Sequence, residues 1–253
     1  MVVSGFLSLF AFSLSAQNST NSPYTRYGYG ELANRSFGAG RSMGGVGIGL
    51  RSSKQINPMN PASYTSMDSL TFLFDFGASA QLSWYDDGTS KQNDVNGNVE
   101  YMAMQFPLHR QIAMSVGLLP YTHVGYNFNN INTSGEQAYQ EIFTGTGGLN
   151  QLYAGLSIDI WKKRLSVGSN INYLFGSIKH QAVTNYGSSN LTNVTSIKEY
   201  KFSDVTFDFG LQYTHPLSKT ENLIAGLTYT PKKRLNHDIY ETISNSESIT
   251  DTI

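Results

Sequence analysis

"SLTFLFDFGASAQLSW", residues Ser69–Trp84, decides the fold because its side chains alternate almost without interruption. Leu70, Phe72, Phe74, Phe76, Ala78, Ala80, Leu82 and Trp84 share one face. Ser69, Thr71, Asp75, Gly77, Ser79, Gln81 and Ser83 share the other, with Leu73 the one apolar intruder. A period of two is the signature of a β-strand whose two faces meet different surroundings. The run is also much longer than the usual strand of about 5–6 residues.

The pattern returns along the chain. In "QLYAGLSIDIW", Leu152, Ala154, Leu156, Ile158 and Ile160 oppose Gln151, Tyr153, Gly155, Ser157 and Asp159. In "DVTFDFGLQYTH", Val205, Phe207, Phe209 and Leu211 oppose Thr206, Asp208, Gly210 and Gln212. The alternation predicts seven strands, over Ser69–Tyr85, Asn98–Leu108, Gln111–Phe128, Asn150–Trp161, Leu165–Val183, Lys198–His215 and Asn222–Asp238. The connections sort by parity. Tyr85–Gly97, Asn129–Leu149 and Thr184–Ile197 read as long polar loops, whereas Pro107–Arg110, Lys162–Arg164 and Pro216–Glu221 read as short turns. Long loops on one side and short turns on the other are what a transmembrane β-barrel shows, with apolar residues toward lipid and polar residues toward a wet lumen. The fold expectation is an all-β, antiparallel transmembrane barrel, with Trp84 and Trp161 near its aromatic girdles.

Composition agrees with this class and excludes others. The net charge is -1, so there is no basic footprint for nucleic acid. There is no cysteine, which removes disulfides, thiolate metal sites and a cysteine nucleophile. Charged residues make up 14% while Tyr (16) and Phe (14) are abundant, a balance that suits pleated surfaces rather than soluble helices. The five histidines, His109, His123, His180, His215 and His237, form no pair with ligand spacing. No catalytic set, metal or cofactor is expected, and the chain reads as a non-enzyme. "MVVSGFLSLFAFSLSA" has the apolar core of a signal peptide over residues 1–16, although no Lys or Arg precedes it. Residues 69–253 then form a partial barrel, since seven strands cannot close one and the "SNSESITDTI" end reads as a loop cut short.

Residues 17–68 lie between these parts. "GRSMGGVGIGLRSSKQINPMNPAS", Gly40–Ser63, tempts a phosphate-loop reading, but its third glycine falls too early for G-x-G-x-x-G and no Gly-Lys-Ser/Thr follows. The stretch carries Arg41 and Met43-Gly44-Gly45, then Asn57-Pro58-Met59-Asn60-Pro61-Ala62 just before the first strand. On these residues the chain resembles the N-terminal region of the FadL/OmpP1/TodX outer-membrane transporters, especially their Bacteroidetes versions. The doubled Asn-Pro departs from the family pattern.

The resemblance implies a barrel of fourteen strands, of which this chain would hold the N-terminal half, with residues 17–68 folded as a hatch in the lumen. It implies transport of long-chain fatty acids or other small hydrophobic compounds across the outer membrane, with lateral exit through the barrel wall. The implied partners are a hydrophobic small molecule together with outer-membrane lipid and lipopolysaccharide, and the protein is expected to be a monomer. A non-transporting barrel, a scaffold or secretion-associated protein, is the alternative, because fold does not fix function.

Three residue groups follow. The hatch motif is Arg41, Gly44, Gly45, Asn57, Pro58, Asn60, Pro61 and Ala62. At least one of the lumen-facing carboxylates Asp75, Asp159 and Asp208 is expected to pair with Arg26, Arg35, Arg41 or Arg51, since a carboxylate in a crowded lumen needs a partner. Gly117, Leu119, Pro120 and Tyr121 are the expected lateral gate, because Pro120 sits in mid-strand and cannot donate to the ladder. Lys232, Lys233 and Arg234 are expected near the outer end of the seventh strand, facing lipopolysaccharide phosphates.

Overall fold

The computed structural model describes residues 20, 22–68, 70–86, 88, 91–133, 138–161, 164–186, 192–219, 221–245 and 250–252. The expected signal peptide, residues 1–16, lies outside them. The chain forms β1 (Glu31–Leu32), α1 (Gly38–Ser42), β2 (Leu73–Asp86), β3 (Lys91–His109), β4 (Ile112–Asn132), β5 (Tyr139–Trp161), β6 (Leu165–Tyr186), β7 (Val194–Pro216), β8 (Asn222–Tyr229), β9 (His237–Asn245) and β10 (Thr250–Thr252). Two 3-10 turns, Pro23–Arg26 and Pro61–Ser66, accompany them. All strands belong to one antiparallel sheet in the order β10-β9-β7-β6-β5-β4-β3-β2, with β1 on β4 and β8 on β7. The sheet is curled as a half-barrel, and the described residues contain almost no helix. No helix among the described residues is long and apolar enough to cross a membrane.

The alternation has a direct structural meaning. On β5, Leu152, Leu156, Ile158 and Ile160 are exposed, while Gln151, Tyr153, Ser157 and Asp159 are buried. On β7, Val205, Phe207, Phe209 and Leu211 are exposed, while Asp204, Asp208 and Gln212 are buried. The sheet is thus inside out relative to a water-soluble one. Its convex face is apolar and its concave face is polar, as expected of a wall that meets lipid. On β5 the apolar band covers residues 152–160, close to the roughly 9–11 residues of a tilted membrane-crossing strand. Above it the exposed residues include Ser177, Lys179 and Lys201, so the strands run past the band.

Several expectations need correction. The stretches read as long loops are largely strand. β4 continues to Asn132, β5 begins at Tyr139, β3 begins at Lys91 and β7 begins at Val194. Above the apolar band the exposed face carries residues such as Ser177, Lys179 and Lys201, so these stretches lack the apolar alternation that marks a strand. Residues 22–68 lie against the concave face. The expected seventh strand is two strands, β8 and β9, which pair with the lower and upper halves of β7. Between them Pro231 interrupts the ladder, and the Thr230–Asn236 excursion ties to the concave face. Thr230 Oγ1 donates to Asp208 at 2.6 Å, and Lys233 Nζ bonds Asp204. Lys233 is therefore held by a carboxylate of this chain, not aimed at outer lipid phosphates.

At Pro120 the strand pairing is irregular on both sides. The register between β4 and β5 shifts between Pro120 and Thr122, so the parity changes there. Leu119 faces inward below the bulge and Thr122, Val124 and Tyr126 face inward above it. A bulge inserts one residue into one strand and so exchanges its faces. On its other side β4 pairs with β3 only as far as Leu118, opposite Met102.

Candidate functional site

The concave face and the segment that covers it form the most elaborate polar assembly among the described residues. The segment's path is fixed by local chemistry. Gly44 and Gly45, with φ of 82° and 86°, terminate α1 in the left-handed region that L-side chains avoid. Asn60 caps the second 3-10 turn, its Oδ1 accepting from Ala62 N at 3.1 Å, and Pro61 occupies the first turn position. Pro61 thus opens the turn, and β2 begins only at Leu73.

Side chains of the wall then bond to the main chain of the segment. Gln105 Nε2 donates to Tyr64 O at 2.9 Å, Ser157 Oγ to Ala62 O at 3.1 Å, and Asn170 Nδ2 to Pro58 O at 3.2 Å. Gln212 Nε2 donates to Ile48 O and Leu50 O, both at 3.1 Å. From the segment, Asn57 Nδ2 reaches Gly47 O and Leu50 O, and Asn60 Nδ2 reaches Ile48 O and Leu211 O. Tyr64 Oη donates to Asn170 Oδ1 at 2.9 Å, and burial raises its pKa well above the phenol range. These bonds answer the carbonyls of an irregular chain that has no ladder of its own. Gly168 and Gly210, paired across β6 and β7, permit the approach. A Cβ on either would collide with Pro61 or Asn60.

Three ion pairs join the segment to the wall. Arg35 Nη2 lies 2.7 Å from Asp208 Oδ2, Arg41 Nη1 lies 2.8 Å from Glu100 Oε2, and Arg51 Nη2 lies 3.2 Å from Asp159 Oδ1. Arg51 is the most enclosed of the arginines, with a side chain 10% exposed, and also donates to Ala62 O, Gln212 Oε1 and Thr65 Oγ1. Desolvation lowers its pKa, and the adjacent Asp159 carboxylate opposes that shift. Arg26 meets no carboxylate in the salt bridges found among the described residues. Its guanidinium lies over the Phe143 ring, 4.3 Å from the centroid. Asp75 is hydrogen-bonded to Tyr101. Glu100 was not singled out in the sequence, because it closes an Asn- and Asp-rich stretch with no clear alternation. Of the gate group, Gly117 and Leu119 face the core while Pro120 and Tyr121 form the bulge.

A second cluster lies above the apolar band, where Val124, Tyr126, Leu149, Ile178 and Phe202 are buried together. A cavity of about 470 Å³ opens over it beside Arg26, Phe143, His180 and Tyr200. Tyr126 Oη and His180 Nδ1 are 2.6 Å apart. Burial and the charge of Arg26 hold the His180 pKa below the ordinary imidazole range. No group of three or more His, Cys, Asp or Glu able to hold a metal occurs among the described residues.

A protein-family model described as BamG matches residues 1–252. No curated protein and no solved structure matches the chain. The match covers nearly the whole sequence and overturns the FadL/OmpP1/TodX resemblance, which rested on a short glycine and Asn-Pro stretch. With it fall the transport of fatty acids or other hydrophobic compounds, the lateral exit for such a substrate, and the small-molecule and lipid partners. The outer-membrane location stands: this is an outer-membrane protein.

Proposed function

This chain belongs to the BamG family, and on that premise we propose that it is a subunit of the outer-membrane protein assembly machinery, the BAM complex, and works by binding other proteins rather than by transport or catalysis. The observation that carries the reading is the family match over residues 1–252. The geometry supports it. The concave face, where a solute would pass, is occupied by a segment fastened through three ion pairs and a network of side-chain to main-chain bonds. Within the same reading, residues 22–68 serve as a fixed lumen plug, and the curled sheet is part of a barrel wall whose short turns, such as that between His109 and Ile112, face the periplasm.

The test is depletion in cells that express the protein, combined with affinity purification from solubilised outer membranes. The expected result is co-purification of the assembly machinery and a fall in the level of other outer-membrane barrel proteins, with uptake of a labelled fatty acid unchanged. Recovery of the protein alone, with normal barrel levels and lost uptake, would refute it.

A further inference from the structure

Above the apolar band, the inner face of the sheet carries a depression with a floor of small residues. Gly145, His180, Lys198 and Glu241 stand opposite one another across β5, β6, β7 and β9, and Phe143, Ala182 and Ser196 form the next row. Tyr126 of β4 lies across Gly145, where a Cβ would collide with its ring, and its Oη reaches His180 Nδ1 at 2.6 Å. From His180 the ring contacts continue around the depression. Centroids are 5.8 Å apart from His180 to Tyr200, 6.0 Å from Tyr200 to His237 and 5.3 Å from His237 to Phe202. Tyr29 of the covering segment then meets Phe202 edge-on at 5.4 Å. The space these rings enclose is the cavity of about 470 Å³.

Charge in this cavity has one sign. Arg26 and Lys198 line it, and no Asp or Glu is among its described lining residues. Arg26 lies over the Phe143 ring, and a guanidinium stacked on a ring keeps its N–H edge for a planar anion. Lys198 pairs with Glu241 at 3.1 Å, but both side chains are well exposed. Such a pair is worth little, so a second carboxylate can take its place. A purely apolar occupant would desolvate both cations without compensation. Tyr, Trp and Arg are also the residue types that dominate binding energy at protein interfaces. A cavity of this size takes a few side chains and not a domain.

We propose that this cavity is a socket for an acidic segment of another polypeptide, in which an Asp or Glu carboxylate reaches Arg26 and Lys198 and a neighbouring aromatic side chain stacks among Tyr29, Tyr200 and Phe202. That the segment comes from the assembly machinery rests on the function proposed above.

The probe is the end-blocked tripeptide Phe-Asp-Phe, titrated by calorimetry into the full-length protein in detergent and compared with Phe-Asn-Phe and with glucuronic acid. The expected result is binding of Phe-Asp-Phe at least about tenfold tighter than of Phe-Asn-Phe. Arg26→Gln should remove most of that difference, because the variant and the altered peptide delete the same contact. Lys201→Gln, an exposed cation on the opposite face of β7, should leave it intact. Equal binding of the two peptides, no binding of either, or tighter binding of the sugar acid would overturn the proposal. If the peptides are discriminated as expected but no assembly machinery co-purifies with the protein, the socket stands and the proposed function falls. If the machinery co-purifies and the peptides bind alike or not at all, the socket falls and the proposed function stands.

Discussion

Replacing Arg51 by Met should loosen the whole N-terminal segment from the wall. Asp159 is 2% exposed and Arg51 10% exposed, so the substitution strands a carboxylate where water cannot reach it. Breaking a buried pair from one side costs about 3–5 kcal/mol. Here Thr65 Oγ1, at 2.7 Å, and Ser166 Oγ still donate to Asp159, which favours the lower end. The loss of the Arg51 bonds to Ala62 O and Gln212 Oε1 pushes the other way. At about 1.4 kcal/mol per factor of ten, 3–4 kcal/mol raises the population of the undocked segment about 100- to 1000-fold. Trypsin reports this population, because Arg26, Arg35, Arg41 and Lys54 lie in the segment and cleavage follows the open fraction when reclosing is fast. In detergent-solubilised full-length protein, cleavage should accelerate by about two to three orders of magnitude in Arg51→Met. It should recover most of the way in Arg51→Met/Asp159→Leu, because an apolar pair carries no stranded charge. A single variant within threefold of the parent would refute the reasoning. So would a double variant as labile as the single one, since the effect would then come from packing and not from charge.

Gly210→Val should undock the same segment by collision with Asn60 and Pro61, whereas Gly97→Ala, with open space around it, should leave tryptic cleavage unchanged. Asn60→Ala removes the turn cap and two donors to main-chain carbonyls, at a cost of about 1–3 kcal/mol, and should speed amide exchange across residues 57–66. His180, facing Tyr126 and Arg26 above the apolar band, has a folded pKa below its unfolded value. No penalty is therefore present above about pH 6.5, and a growing one appears as pH falls toward the lowered value; exchange of the Tyr126 and His180 amides should rise on acidification, and His180→Gln should flatten the dependence.

What the sequence made legible was the part ruled by periodicity. Where one face is apolar and the other polar, alternation assigns faces, and it puts Asp159 and Asp208 on the inner one. Above the apolar band that contrast disappears. Lys91–Val99 and Tyr139–Thr146 are strands with water or partner strands around them, and their polar, glycine-bearing sequences resemble loops. Pro120 gave a warning that parity could not resolve, because the alternation of residue types runs through the bulge while the backbone exchanges faces there. Pro231 gave a similar warning inside the expected seventh strand. Which arginine meets which carboxylate depends on the path of residues 22–68, an irregular chain with one five-residue helix and two turns. Glu100 shows the gap, since nothing around it marks it as the partner of Arg41.

The mistaken family resemblance has a physical source. Gly44-Gly45 ends a short helix in the left-handed region, and Asn57 and Asn60 supply side-chain amides to carbonyls that no strand or helix satisfies. Asn60-Pro61-Ala62 starts a turn tight enough to lie on Gly168 and Gly210. Any segment that must pack irregular backbone against the polar face of a curled sheet meets the same three demands, and glycine, asparagine and proline are the residues that meet them. Such a motif therefore reports an environment and not a descent or a cargo. The same reasoning separates fold from function here. The inside-out wall follows from alternation and would serve a pore or a scaffold equally. The family match over residues 1–252, and not the wall, separates the two readings.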